Sequence, residues 1–504
     1  MTELLTAAQM RAIEAAAITS GEVTGLELME RAGRGVVAAT FEEWPELAEG
    51  GHRAVVLCGP GNNGGDGFVV ARLLKEAGWD VEVFLYGDAE KLPPDARVNY
   101  ERWGELGEVA AIASCTSHRW VHQPIVIDAL FGTGLARPLT EDLRNILMAT
   151  MNCRRVAVDV PSMLSSDTGV MMSPVFHSSA AHLTVTFHSR KLGHLLCDGP
   201  ANCGEVRVVD IGLNHKPIEG AVELLTHTDN LSKRVGHKYS HGHALILCGS
   251  VGKGGAARLA ARGALRVGAG AVTVGCPPAA LIENAAQLNA VMLRKIKGAD
   301  ALTAALEDAR INALCMGPGL GVSDESRSLI EAGLKSGRAI VLDADALTLI
   351  GRDAPLFAML HDRCVLTPHA GEFARMFPDI AEKLAAPASK GPAYSKVDAT
   401  RDAARRAGCT VLFKGPDTVI ADPSVRCSIN ASVYERSAPW LATAGSGDVL
   451  AGFITGLLAR GFAPMKAAET GAWLHTECAL SFGPGLIAED LPEELPKVFR
   501  ALGL

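Results

Sequence analysis

A carboxylate flanked by glycines at the start of a helix can act as a base beside a transferring phosphoryl group. This chain carries such a residue in Asp448, within ATAGSGDVLAG (Ala442–Gly452). The glycines and Ser446 set backbone N–H groups at the helix start, where they favour anions, and Asp448 falls in the first turn. The same acid alone could simply neutralise the helix dipole. A second loop of different design, GPGNNGGDG (Gly59–Gly67), leads from an apolar run into a helical pattern. It lacks the G-K-[ST] ending of a Walker loop, and its glycines allow close approach of backbone to a bound anion, with Asp66 alternatively a helix cap. Asn63, Asp128 (in VIDALFGTGL) and Ser162 (in VDVPSM) converge at one sheet edge as oxygen ligands, a set suited to a hard cation rather than to zinc or copper.

Strands must deliver these residues. RAVVLCG, DVEVFLYG, PIVIDALFG, RRVAVDVP, LTVTF and EVRVVDIG read as strands, several without polar alternation, as a parallel sheet covered on both faces requires. Two helical patterns, Leu5–Thr19 and Leu26–Thr40, precede them. The pattern predicts an open, Rossmann-like doubly wound α/β sheet with ligands beyond the carboxyl ends of its strands. After a polar, irregular stretch from Asn214 to Tyr239, a second series begins: HALILCG, AVTVGCP, INALCMGPG, AIVLDADAL, CVLTPHAGEF and TVLFKGPDTVI, then two helical patterns from Ser446 onward. Two α/β domains follow, residues 1–217 and 218–504, with Ala381–Ser395 expected as a loop or lid edge in the second.

Composition narrows the class. A chain of 504 residues, 48% hydrophobic with 53 glycines and 5% aromatics, suits a two-domain α/β enzyme. Net charge is −8 and the 48 basic residues are dispersed, so nucleic acid is not an expected partner. The 12 cysteines form no C-x-x-C pair or zinc spacing and read as reduced core thiols. The acid-bearing N-terminus is unlike a signal peptide, and no apolar run is long enough to cross a bilayer. A cytoplasmic protein is expected, with small-molecule partners, no membrane association and a homo-oligomeric state.

LMERAG (Leu28–Gly33), GNNGGDG, DALFGTGL, VDVPS and the DIGL ending resemble the NAD(P)H-hydrate epimerase domain. That resemblance implies interconversion of the R and S epimers of hydrated NADH or NADPH with a bound potassium ion. By motif position, Asn62, Asn63, Gly64, Gly65 and Asp66, the run Gly132, Thr133, Gly134, Leu135, Ala136, Arg137 and Pro138, and Asp159 would contact the hydrate. Asn63, Asp128 and Ser162 would hold the potassium, and Lys191 in TFHSRKLG would assist proton handling. The chain departs from the family at Met163, where the family carries glycine; a positive φ there would strain a methionine.

The second domain resembles ribokinase-like kinases as a class through its glycine loop. Through HKYSHGHALILCGSVGKGGAARLAARGALRVGAGAVTV, GPGLG (Gly317–Gly321), LDADAL, TPHAGEF and KGPDT it is similar to the ADP-dependent NAD(P)H-hydrate dehydratase domain. The resemblance implies hydrate contacts from Ala256, Gly319, His369 and Asp448, and nucleotide contacts from Lys414, Gly415, Pro416, Asp417, Thr418 and Gly447. ADP would be the co-substrate, with magnesium on its phosphates. The rival expectations are a ribokinase-like kinase of a vitamin or sugar precursor, and a first domain that binds without catalysing.

Overall fold

The computed structural model describes residues 3–115, 123–135, 137–172, 180–214, 217–228, 231–233, 235–387 and 393–504. The chain divides into two compact units, Glu3–Ala221 and Val222–Ala386 with Lys396–Leu504.

The first unit holds a seven-stranded, all-parallel sheet. In edge-to-edge order its strands are Val109–Ala111, Asp80–Leu85, Arg53–Cys58, Ile125–Ala129, Arg155–Val158, Leu183–Phe187 and Glu205–Val209. Along Arg53–Cys58 alternate residues enter two different cores: Ala54, Val56 and Cys58 join one, Val55 and Leu57 the other. Both faces are therefore buried, which is why the strand reads as a continuous apolar run. The strand feeds directly into the helix Asn62–Glu76. The turn between them closes tightly, because a Cβ on Gly64 would lie 2.0 Å from the Gly59 carbonyl oxygen. The two N-terminal helical patterns fold as Ala7–Ser20 and Gly25–Glu43, each opened by a threonine capping box.

In the second unit the strands run, in sheet order, Val222–Leu224, Cys427–Ala431, Asp417–Ala421, Thr410–Phe413, Cys364–Leu366, Ala339–Leu342, Ile311–Met316, His243–Leu247, Ala271–Cys276 and Met292–Lys295. Pairing is parallel except around Asp417–Ala421, which is antiparallel to both neighbours. TVLFKGPDTVI folds as a hairpin whose turn is Lys414–Pro416. Helix Ser446–Ala459 packs closely on helix Gly255–Arg266, since a Cβ on Gly452 would sit 2.2 Å from the Ala260 carbonyl oxygen. Two further helices follow it, Pro464–Phe482 and Asp490–Ala501, one more than expected from Ser446 onward. The segment Ala381–Ser395, expected as a loop, begins inside helix Pro378–Ala385, because Pro378 is suited to open a helix at its first position; residues 388–392 lie outside the described residues. None of the twelve cysteines forms a disulfide, and eleven of them are buried. Among the described residues no helix is long and apolar enough to cross a membrane.

Candidate active sites

In the first unit the strand exits converge around one buried ion pair. Lys191 Nζ lies 2.8 Å from Asp159 Oδ1, and the lysine is 1% exposed. The ammonium also donates to Thr186 Oγ1 at 2.8 Å and to the Phe187 carbonyl at 3.0 Å, while Thr186 Oγ1 donates to Asp159 Oδ1 at 2.9 Å. Burial acts to raise the Asp159 carboxyl, but the charge and hydrogen bond of Lys191, with His194 and the Thr186 hydroxyl, together hold the group below the usual carboxylate range. His194 Nε2 bonds the Asp159 carbonyl at 2.9 Å, and burial pushes that imidazole down to about 4. Asp159 sits at φ 67°, a left-handed conformation that a non-glycine residue adopts only where its surroundings fix it.

The glycine turn Gly132–Gly134 lies against this pair. Thr133 N–H donates to Asp159 Oδ2 at 3.3 Å, and a Cβ on Gly132 would lie 2.8 Å from Asn63 Oδ1 and 3.1 Å from Asp159 Oδ2. Asn63, Gly132, Thr133, Asp159 and Lys191 thus form one site. Asp66, three residues after Asn63 at the same loop-helix junction, has its carboxyl pushed well above the ordinary range by burial first and by the Asp159 charge second. Asn62 is exposed, and Gly64 and Gly65 are buried under it. Gly134, Leu135, Arg137 and Pro138 line an adjoining cavity of about 290 Å³ beside the edge-to-face pair Tyr86 and Phe131. Ala136 lies outside the described residues.

Asp128 and Ser162 are both 1% exposed and bonded to each other through the serine hydroxyl and amide, the latter at 3.1 Å. Burial raises the Asp128 carboxyl, offset by the Ser162 bond and by Arg155. Asn63 Nδ2 is buried without a hydrogen-bond partner. The hard oxygens of Asp128 and Ser162 and an incompletely neutralised carboxylate fit a monovalent cation, whereas the unpartnered Asn63 Nδ2 is a donor and calls for an acceptor; among the described residues no cluster of three or more His, Cys, Asp or Glu fits a metal ion. Met163 is not at positive φ; it is 3% exposed and packs into the core with Val55, Leu57 and Leu143. The expected strain is absent.

In the second unit Asp448 occupies the first turn of helix Ser446–Ala459, after Gly445 at φ 88°. Burial and the charge of Asp343 push its carboxyl up to about 6, with Lys414 opposing. Lys414 Nζ lies 2.8 Å from Asp343 Oδ1 and 3.7 Å from Glu372 Oε2, and a Cβ on Gly447 would lie 3.5 Å from the same ammonium. Glu372 in turn accepts the His369 N–H at 2.8 Å. His369 caps helix Ala370–Met376 through Nδ1 and leaves its side chain 55% exposed. Gly319, at φ 66°, abuts the loop before Ala256: a Cβ there would lie 2.7 Å from the Lys253 carbonyl oxygen and 3.6 Å from Ala256 Cβ. Lys414, Gly415, Pro416, Thr418 and Gly447 line a cavity of about 550 Å³. Asp417 does not line it; its carboxylate is turned to Lys396 Nζ at 2.6 Å, so its side chain supports the hairpin instead of facing the cavity.

Comparison with known proteins follows this division. A family described as YjeF-related protein N-terminus matches residues 25–193, and one described as NAD(P)H-hydrate dehydratase matches residues 244–497. A protein of Moorella thermoacetica named bifunctional NAD(P)H-hydrate repair enzyme Nnr is 35% identical over 530 residues, covering 99% of this chain and 97% of its own. An NAD(P)H-hydrate epimerase of Roseobacter litoralis is 47% identical over 42% of this chain and 100% of its own. The chain belongs to the bifunctional NAD(P)H-hydrate repair enzymes. Among solved structures, the ADP/ATP-dependent NAD(P)H-hydrate dehydratase of Bacillus subtilis, co-crystallised with ATP/Mg2+, matches 54% of this chain and 93% of its own at 26% identity and TM-score 0.43.

In this repair-enzyme chain the fold also brings to the two sites residues that no motif singles out. Asp343 and Asp345 lie in LDADAL and Glu372 in TPHAGEF, where an Asp-x-Asp at a strand exit and a His-x-x-Glu capping box are the local signals. Glu14, on helix Ala7–Ser20, is raised by burial and by Asp159. Nothing local distinguishes it from a surface acid, because its neighbours come from residues 159 and 191.

Proposed function

We propose that this chain repairs hydrated NADH and NADPH: the first unit equilibrates the R and S epimers, and the second dehydrates the S form with ADP, giving AMP and phosphate. The Asp448 carboxylate, raised to about 6 beside Lys414 at a helix N-terminus, carries the dehydratase half. Hydroxide leaves poorly near neutral pH. Asp448 takes the hydroxyl proton as that oxygen attacks the β-phosphorus of ADP; the bond to the α-phosphate oxygen breaks, and AMP departs. Electron push from the ring nitrogen then expels phosphate, and loss of a ring proton restores the dihydropyridine. The amides at 446–448 and Lys414 face the charge that develops during transfer. Magnesium would arrive on the nucleotide phosphates, largely water-coordinated, and would neutralise them; no three-acid cage is found among the described residues.

In the epimerase half, two carboxyls have environments that push them apart. Asp66 is favoured as the proton-bearing acid and Asp159 as the ionised base, fixed by Lys191. Asp66 protonates the departing hydroxyl and the ring nitrogen supplies the electron pair; as water returns on either face Asp159 accepts its proton, which passes back to Asp66 and restores both carboxyls. Asn63, Asp128 and Ser162 would hold potassium, which supplies positive charge opposite the buried Asp128 carboxylate. Asn62, Gly64, Gly65 and the run Gly132–Pro138 would cradle the dinucleotide. Ala256, Gly319 and His369 would contact the hydrate in the second unit, and Lys414–Pro416, Thr418 and Gly447 the nucleotide.

The deciding experiment incubates the protein with the mixed hydrates and ADP, following dihydronicotinamide absorbance and the release of AMP and phosphate. Full recovery of absorbance from both epimers is expected. Accumulation of a stable phosphorylated substrate without recovery would favour a kinase and overturn the proposal.

A further inference from the structure

Among the buried titratable groups of the second unit that the mechanism leaves unused, His475 is the one that lines the cavity. His475, on helix Pro464–Phe482, is 7% exposed and lines the 550 Å³ cavity together with Ser446, Gly447 and Lys414. Its Nε2 lies 2.9 Å from the carbonyl oxygen of Ser446, and its ring meets Phe453 edge-on at 6.3 Å. A carbonyl only accepts, so Nε2 carries the hydrogen. Burial pushes the imidazole down to about 4, aided by the Lys414 charge and opposed by the Ser446 bond, so the ring is neutral at physiological pH. A neutral ring with its hydrogen on Nε2 has a bare lone pair on Nδ1. Among the described residues nothing donates to that atom, and it is not one of the sealed, unpartnered atoms of the core. It therefore opens on the cavity its ring lines, as a hydrogen-bond acceptor fixed one bond away from the phosphate-facing loop.

We infer that His475 is a nucleotide-binding residue: Nδ1 accepts a hydrogen bond from a ribose hydroxyl of the co-substrate while Nε2–H ties the Ser446 carbonyl and so orients the amides of the anion loop. The inference rests on the dehydratase reading of this cavity and names the atom that recognises the sugar. Ribose is the part of a nucleotide adjacent to its phosphates, which suits a group bonded to the first residue of the phosphate-facing helix. Thr476 and Ser432, on the same wall, are bonded to each other at 2.8 Å, and the Asn430 amide donates to Thr476 Oγ1 at 3.0 Å, so these neighbours are already engaged.

Two substitutions separate the two nitrogens. His475→Gln places an amide where Nε2 stood and keeps the Ser446 tie without the acceptor; His475→Asn places an acceptor near Nδ1 and drops the tie. In the full chain, His475→Gln is expected to raise KM for ADP about tenfold, the size of one lost hydrogen bond, with a smaller fall in kcat. His475→Asn is expected to lower kcat more than it raises KM. With 2′-deoxy-ADP or 3′-deoxy-ADP, whichever lacks the recognised hydroxyl, parent and Gln variant should bind alike by calorimetry, a readout independent of turnover. Should the Gln variant bind ADP as tightly as the parent, or should its loss disappear instead with inosine diphosphate, which lacks the base amine, the ribose assignment is wrong. A parent protein that binds ADP through His475 yet restores no dihydronicotinamide would sink the dehydratase reading and leave this inference standing.

Discussion

Asp159 and Asp448 are both aspartates at the mouths of parallel sheets beside a lysine, yet their surroundings drive them in opposite directions. Asp159 is in direct contact with Lys191, at 2.8 Å and out of solvent, and stays ionised. Asp448 faces a lysine already shared, since Lys414 is bonded to Asp343 and lies near Glu372; burial first and the Asp343 charge second raise Asp448 to about 6, with Lys414 opposing. Burial raises both carboxyls; a lysine in direct contact helps to reverse that for Asp159, whereas a lysine bonded elsewhere leaves Asp448 a base that can exchange its proton near neutrality. The contrast assigns separate chemistry to each unit, and each of the following changes tests it.

The largest effect is expected from Asp448→Asn. Loss of a general base should lower dehydration by about 10²–10⁴-fold with epimerisation untouched, measured by AMP release and by chromatography of the epimers. The same substitution should stabilise the second unit. A carboxyl at about 6 against an ordinary 3.8 binds its proton more tightly when folded, so ionisation weakens the fold as pH rises through that window. Removing the penalty is worth on the order of 3 kcal/mol above pH 6, visible as a raised Tm. An unchanged or lowered Tm at pH 8 would show that Asp448 is not the strained base described here.

Lys191→Met attacks the other side of the comparison. It leaves Asp159 buried and unpaired, which costs about 3–5 kcal/mol, and epimerisation should be lost while dehydration of purified S hydrate continues. Because the folded Asp159 carboxyl is held below its ordinary 3.8, its contribution is present above that value and is lost only as pH falls through the lower folded one. The two activities should therefore part in acid. Between pH 7 and 5 dehydration is expected to fall along a limb near 6, approaching tenfold per pH unit below it, while the Asp159 pair remains intact. Initial rates of each reaction on single epimers across this range would check the separation.

The sheets were legible because both faces of most strands are buried, so RAVVLCG or HALILCG reads as an unbroken apolar run. Short edge strands escaped. Val109–Ala111 and Met292–Lys295 carry three and four residues with partial exposure, too few for any periodicity to register. The segment Val222–Leu224 fell within a stretch that reads as irregular, since its pairing is to Cys427–Ala431, two hundred residues on. The loops of both sites could be read from glycine spacing and resemblance. The left-handed backbone of Asp159, the sharing of Lys414 and the role of His475 could not, because each is set by groups distant in sequence.

Met163 tests whether the first unit is catalytically intact, and it carries the smallest expected effect on turnover. Glycine at this position in the family suggested a backbone that methionine would strain, which would make the substitution Met163→Gly a rescue. The structure gives the opposite sign. The residue has negative φ, and its side chain fills a core with Val55, Leu57 and Leu143 behind the Asp128–Ser162 pair. Truncation removes buried volume, with a loss of about 2–5 kcal/mol, and the added backbone freedom acts in the same direction. Epimerisation per folded molecule should change less than twofold, and Tm should drop. A rise in epimerase rate without loss of stability would mean that methionine here does hold the cation loop away from its working geometry, and that the two units differ in competence as well as in chemistry.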